Sequence, residues 1–159
     1  MQDIDRIIKR IDNIASKDNI KAAMGNCCLQ VERTAKQKVK GALANSIENK
    51  VIDEGDSIKG VVYNTLEISP YIEYGTGIFA EGGKGRQSVP WVFVKGSTKE
   101  AKSKKTYTLE EAKQTMAILR SKNLEAYYTY GRKPNPFMRP ALYSNKEKIL
   151  KWLGGATIK

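Results

Sequence analysis

The chain has 159 residues, 40% of them hydrophobic, with 28 Lys and Arg against 17 Asp and Glu, a formal charge of +11 and no histidine. That length is about one domain's worth, and that apolar fraction excludes a disordered chain. The missing imidazole removes the commonest general base near neutral pH and the commonest metal ligand, while the positive charge points to an acidic partner such as nucleic acid.

The two cysteines, Cys27 and Cys28, are adjacent. They cannot staple distant segments and fit no metal-binding spacing, which suits a reducing compartment. No apolar run approaches membrane-spanning length, and the polar N-terminus lacks a signal-peptide core. The expectation is a protein made and used in a cytoplasm, away from membranes.

In chain order, Ile4, Ile7, Ile8, Ile11 and Ile14 recur at helical spacing and predict an amphipathic helix over 3–15. Asp18 then caps a second helix whose stripe is Ile20, Met24, Cys27, Val31 and Ala35, running toward Val39 and stopping at Gly41. Cys28 points about 100° away from that stripe. Ile47–Ile52 and Ser57–Tyr63 read as a hairpin around the turn Asp53-Glu-Gly-Asp56. Ser69 and Pro70 read as an N-cap and first helical residue, opening a short helix over Tyr71–Tyr74 that ends in Gly75-Thr-Gly77.

Residues 78–88 are glycine-rich and read as mobile. Two phosphate-binding readings of this region fail. Ile78 stands where a Walker A loop needs glycine, and Gly85 stands where it needs Ser or Thr. Gly75-Thr-Gly77 is too short for a dinucleotide fingerprint.

Pro90 precedes an apolar strand, Trp91–Val94. Residues 95–105 carry Lys95, Lys99, Lys102, Lys104 and Lys105 against Glu100, either a solubilising tip or a phosphate-facing loop. Thr108 and Glu111 form a capping box for a helix with Leu109, Ala112, Met116 and Leu119. Glu125–Tyr130 is strand-like. Between Pro134 and Leu142, three prolines in nine residues predict a rigid elbow, with Asn135 and Arg139 extended. Phe137 and Met138 should plug into a core or a partner. Pro140 suits the first turn of a final helix, which carries Ile149, Trp152 and Leu153 and stops at Gly154-Gly155. The fold expected is α+β, with a mostly antiparallel sheet packed against long N-terminal and C-terminal helices in a single domain. Residues 1–17 form a helical extension, 18–155 the domain proper and 156–159 a tail.

The order and spacing of these stretches resemble a known family. Gly41-Ala-Leu-Ala-Asn-Ser-Ile47 follows a long helix; a hairpin, Tyr71-Ile-Glu-Tyr-Gly-Thr-Gly77, Pro136-Phe-Met-Arg-Pro-Ala-Leu142 and a closing helix come after it. Over most of 20–153 this resembles the tail-completion, or head–tail joining, proteins of long-tailed bacteriophages, which are neck or minor tail components. The resemblance implies a structural subunit of a homo-oligomeric ring, a hexamer, in the virion neck or tail of a phage or phage-derived particle. It implies assembly in the host bacterial cytoplasm and contacts with a tail tube or terminator and head-side connector proteins. Double-stranded DNA would pass through without sequence-specific contacts, with no catalysis and no cofactor or metal. Tyr71, Glu73, Tyr74, Gly75, Gly77, Phe137, Met138 and Arg139 become candidate interface residues. Lys99, Lys102, Lys104 and Lys105 become candidates for facing DNA. Glu73 and Arg139 are expected to pair with each other or across a subunit boundary; the bland alternative is ordinary surface charge.

Charge is unevenly spread. Residues 42–80 hold two basic and six acidic groups, and the remainder 26 and 11. An acidic hairpin on a basic chain suits a head-to-tail contact between unlike patches. Six spheres of roughly 39 Å, the size expected for this length, enclose a hole wide enough for a duplex. Two other classes compete. One is a basic nucleic-acid-binding module without a virion role, though the sequence interleaves no aromatics with basic residues as a stacking platform would. The other is a nuclease holding Mg²⁺ on Asp53, Glu54 and Asp56, which are expected to sit on a turn with no basic partner nearby.

Overall fold

The computed structural model describes residue 4 and residues 16–83, 85–96 and 107–157. The helix expected over 3–15, Ile4 apart, lies outside them, as do Lys99, Lys102, Lys104 and Lys105. The elements in order are α1 (Lys17–Lys38), α2 (Ala42–Asn45), β1 (Ile47–Asp53), β2 (Ile58–Asn64), α3 (Ser69–Tyr74), two 3₁₀ turns (Gly77–Phe79 and Glu81–Gly83), β3 (Trp91–Val94), α4 (Leu109–Ser121), β4 (Ala126–Thr129), α5 (Met138–Ser144) and α6 (Lys146–Thr157). The fold is α+β, as expected, and all strand pairing is antiparallel. It comes as two separate two-stranded ladders, β1–β2 and β3–β4. Contacts gather into two compact units, 1–69 with 137–159, and 70–136.

The first unit is built on α1. Its N-cap is Ser16, whose side chain accepts from the Asn19 amide at 3.3 Å. Asp18, expected as the cap, sits one position too late and instead places its charge in the first turn, where it suits the helix dipole. Cys27, Cys28, Val31 and Ala35 are buried. Two sides of the helix are covered: β1 and β2 pack on one, and α5 and α6 on another. That is why Cys28, expected to point away from the apolar stripe, is only 4% exposed. It packs under Gly60 of β2, where a Cβ would come within 2.5 Å of the Cys28 Sγ. Burial pushes both thiols up, the Cys28 thiol further opposed by its neighbour Cys27, so neither is an activated nucleophile.

β1 and β2 pair from Ile47↔Asn64 to Asp53↔Ile58, within one residue of the expected strands. Asp53 is the anchor between hairpin and helix. Its carboxylate contacts Lys17 Nζ at 2.6 Å and Lys21 Nζ at 2.7 Å, and it accepts from the Gly55 amide at 3.0 Å. The turn therefore does have basic neighbours. Those of Asp53 lie more than thirty residues upstream, out of reach of a local reading, whereas Lys59, 4.0 Å from Glu54, is local. Further along the same side, Glu32 accepts from Lys36 and Asn49. Burial pushes the Glu32 carboxyl up, but these bonds outweigh it and hold the group below its usual range.

The C-terminal helices dock through one buried amide. Asn145 is 3% exposed. Its Nδ2 donates to Thr34 Oγ1 at 2.9 Å and to the Ala141 carbonyl at 2.8 Å, and its Oδ1 accepts from Gln30 Nε2 at 3.3 Å. Asn145 also breaks the single helix expected here into α5 and α6. Gly154 and Gly155 do not stop α6, which runs to Thr157. Glycine costs roughly 1 kcal/mol in a helix but does not by itself end one. Arg139, expected to be extended, is helical in the first turn of α5. The preference set by Pro140 yields there to the helix that starts after Phe137, which is fully buried.

In the second unit, β3 and β4 pair from Trp91↔Thr129 to Val94↔Ala126. One face of this ladder packs on α4, with Val92, Ala112 and Ala126 at the centre and Val94, Tyr107, Met116, Leu119 and Tyr128 around them. The expected capping box is formed: Glu111 N–H donates to Thr108 Oγ1 at 3.2 Å, and Thr108 N–H to Glu111 Oε2 at 2.8 Å.

Two outcomes follow. Asn145→Ala leaves Gln30 and Thr34 in a buried site without their amide, and should lower unfolding free energy by ~1–3 kcal/mol in urea titration. Asp53 contributes in a pH-dependent way. Hydrogen bonds from Lys17, Lys21 and the Gly55 amide hold its folded-state carboxyl well below the ordinary value of 3.8. Its contribution is thus complete above that value and declines as pH falls below it. The stability gap between the native protein and Asp53→Asn should be constant near neutrality and close below about pH 4.

Candidate functional site

The glycines after α3 are where the second unit is locked. Thr76 N–H donates to the Arg132 carbonyl at 2.9 Å, Arg132 N–H returns a bond to Thr76 Oγ1 at 2.9 Å, and Ile78 N–H reaches the Tyr130 carbonyl at 3.2 Å. Beside them, Asn135 N–H donates to the Ile72 carbonyl at 2.8 Å. The two segments run so close that side chains do not fit between them. Gly77, at φ +60°, would bring a Cβ within 2.1 Å of the Tyr130 carbonyl oxygen, and Gly131, at φ +117°, within 2.1 Å of the Thr76 oxygen. Gly75-Thr-Gly77 thus serves backbone packing. The glycine-rich stretch after it, expected to be mobile, forms the two 3₁₀ turns, and Gln87 Nε2 bonds back to the Gly83 and Gly85 carbonyls at 3.2 and 3.1 Å.

This lock ties α3 to the end of β4 and shapes a groove of about 1240 Å³, whose walls include Tyr71, Tyr74, Trp91, Phe93, Tyr107 and Leu119. Tyr71 and Tyr74 are about half exposed, at 53% and 48%. Between them on α3, Ile72 and Glu73 turn inward, with Glu73 only 4% exposed. Glu73 is therefore no ordinary surface charge.

The expected site residues separate. Tyr71, Tyr74, Gly75 and Gly77 come together on the groove. Phe137, Met138 and Arg139 belong to the other unit. There Phe137 is wholly buried and fills the interior, and Met138 and Arg139 are half-buried. Of the expected lysine loop, Lys95 pairs with Glu125 at 2.9 Å in an exposed position. Among Asp53, Glu54 and Asp56, Asp53 is committed to Lys17 and Lys21, and no cluster of three or more His, Cys, Asp or Glu side chains suited to a metal ion occurs among the described residues. No described helix is long and apolar enough to cross a membrane.

Sequence reading missed the face of the β3–β4 ladder opposite α4. Strand alternation sends Trp91 and Phe93 there, and the register adds Tyr127 beside Phe93. The rings of Phe93 and Tyr127 lie 5.8 Å apart, tilted by 30°. The Arg86 guanidinium sits 5.2 Å from the Trp91 ring centre and that of Arg120 5.3 Å from the Tyr127 ring centre. Both strands were visible in the sequence, as the apolar run Trp91–Val94 and the strand-like Glu125–Tyr130; their pairing and register were not. Chemically, groove and face can stack on planar groups and bury apolar ones.

No family model, no curated protein and no solved structure matches the chain.

Gly77→Ala tests the lock. The added methyl meets a backbone oxygen in a conformation that alanine resists, and the variant should lose ~3 kcal/mol or more on chemical denaturation. Gly82→Ala is the control for positive φ alone, because no atom lies within 4 Å of its Cβ position; it should lose only ~1 kcal/mol.

Proposed function

We propose that the protein is a structural subunit of a ring in the neck or tail of a long-tailed phage, or of a phage-derived particle, that joins tail to head or completes the tail around the DNA conduit. In this reading it works by docking, with no catalysis and no cofactor. Its partners are further copies of itself, tail tube or terminator proteins and head-side connector proteins, and double-stranded DNA passes through without sequence readout.

The observation that carries the proposal is the surface of α5 and α6. α5 begins inside the family-like block at 136–142, and α6 follows it. They leave Leu142 50%, Tyr143 70%, Leu150 60% and Trp152 38% exposed. Four large apolar side chains exposed on two short helices support reading this region as an association site. The groove bordered by Tyr71 and Tyr74 is a second surface of different chemistry. Unlike patches are what a head-to-tail contact requires, and rotation of such a contact closes a ring.

Charge adds less than composition suggests. Asp53 is already neutralised within the subunit by Lys17 and Lys21. Glu48 accepts from the Tyr63 hydroxyl at 2.8 Å, and Glu54 stands 4.0 Å from Lys59. The acidic hairpin therefore tunes the contact, and the apolar helices supply most of its stability. Fully burying a Leu side chain contributes ~1.5–3 kcal/mol.

Native mass spectrometry and negative-stain imaging of the purified protein, alone and with its particle, provide the test. The native chain should assemble into rings or join the particle. Leu150→Glu and Tyr143→Asp should keep the circular dichroism of the folded protein yet weaken assembly at least tenfold. Assembly unchanged in both variants, or joined infective particles lacking the protein, would defeat the proposal.

A further inference from the structure

Between residues 70 and 136 the chain places nine of its thirteen aromatic residues and twelve basic against six acidic groups. The β3–β4 ladder gives part of that composition a geometry. Val92, Val94, Ala126 and Tyr128 face α4, and the other side carries Trp91, Phe93 and Tyr127. Phe93 and Tyr127 are 41% and 40% exposed. Apolar rings of this size on a folded surface need a reason.

We propose that this face is a stacking platform for single-stranded nucleic acid. Phe93 and Tyr127, side by side at 5.8 Å, offer surfaces for two neighbouring bases splayed out of their own stack. Arginines stand at both ends of the row. Arg86 lies over Trp91 and is held by its Nε to the Ser88 carbonyl at 3.0 Å; Arg120 lies over Tyr127 and is held by its Nε to the Ala126 carbonyl at 2.9 Å. Tethering by Nε holds each guanidinium over a ring, which places positive charge at the platform for a backbone phosphate. The acid at the end of the ladder, Glu125, is already paired with Lys95.

Charge decides for nucleic acid over a protein strand or helix. Arginine beside aromatic rings also serves protein contacts, but a polyanion with exposed π faces matches both the charge and the stacking surface. A duplex keeps its bases inside, so the rings discriminate in favour of single strands, and the recognition is tolerant of sequence because every base has a π face. The inference is independent of ring assembly: it requires only the second unit's ladder and its arginines.

The full chain titrated against a labelled oligothymidine and a duplex of equal length, followed by fluorescence anisotropy over a range of salt, tests this. The single strand should bind more tightly than the duplex. Phe93→Ala and Tyr127→Ala should each weaken single-strand binding about tenfold or more without changing its salt slope. Phe93→Leu, which keeps apolar bulk and the fold but loses the ring, should weaken it nearly as much. Arg86→Gln should do the reverse, lowering the salt slope with little effect on the preference for single strands. The proposal is overturned if the oligothymidine does not bind, if duplex and single strand bind alike and the ring variants match the native chain, or if the ring variants bind normally but lose self-association, which would make the face a protein contact.

Discussion

The arrangement of the second unit depends on one close passage of backbone against backbone. Residues 75–78 and 130–132 exchange three hydrogen bonds across a gap in which Gly77 and Gly131 would each bring a Cβ within 2.1 Å of a carbonyl oxygen. The segments at either end of this contact lead to the groove and to the aromatic face. One leads back to α3 with Tyr71 and Tyr74, the other to β4 with Tyr127 beside Phe93. A two-stranded ladder alone is marginally stable in water. Here the lock joins with the packing of Val92 and Ala126 on Ala112 of α4 to hold the ladder, and the opposite face is left available for its aromatic rings.

The first unit solves a different problem with similar means. Its long helix must be covered on two sides, so its buried positions are small: Cys27, Cys28, Val31 and Ala35. Small residues let the hairpin and the C-terminal helices approach closely, and polar bonds then fix their positions. On the hairpin side the fixing groups are Asp53 and Glu32; on the other side it is Asn145 with Thr34 and Gln30. A buried amide with its hydrogen bonds made adds little net stability over an apolar side chain, but it admits only one docking geometry. The unit thus spends its polar residues on register.

What the sequence disclosed follows from the range of the forces involved. Period-2 and period-3.6 patterns and caps act within a few residues, so β1, β2, β3, β4 and the Thr108 capping box were legible to within a residue or two. Interactions across long separations were not. Lys17 and Lys21 stand far from Asp53 in sequence, and Gln30 lies more than a hundred residues from Asn145. The aromatic face illustrates the boundary within one site. Trp91 and Phe93 announce a common side by their spacing, but Tyr127 joins them only through a register that no local pattern sets. The glycine motif was legible as a feature and its phosphate readings could be rejected on the sequence, but its use could not be read, because the segment Gly77 approaches lies more than fifty residues further along the chain.

Burial accounts for the residues left at the surface. Two small ladders and one central helix bury few large side chains completely, Phe137 and Ile47 being the largest. Leu142, Tyr143, Leu150 and Trp152 consequently remain in contact with water on α5 and α6. Each could contribute ~1.5–3 kcal/mol if it were covered, and a few such residues together match the free energy that distinguishes a transient contact from a lasting one. The exposed charges cannot do the same, since surface ion pairs contribute ~0–1 kcal/mol and weaken with salt. A chain that pairs acids with its own lysines, as Asp53 is paired with Lys17 and Lys21, and leaves leucines and a tryptophan exposed is, in the reading proposed above, better suited to hold on to a neighbour by apolar contact than by the charge its composition advertises.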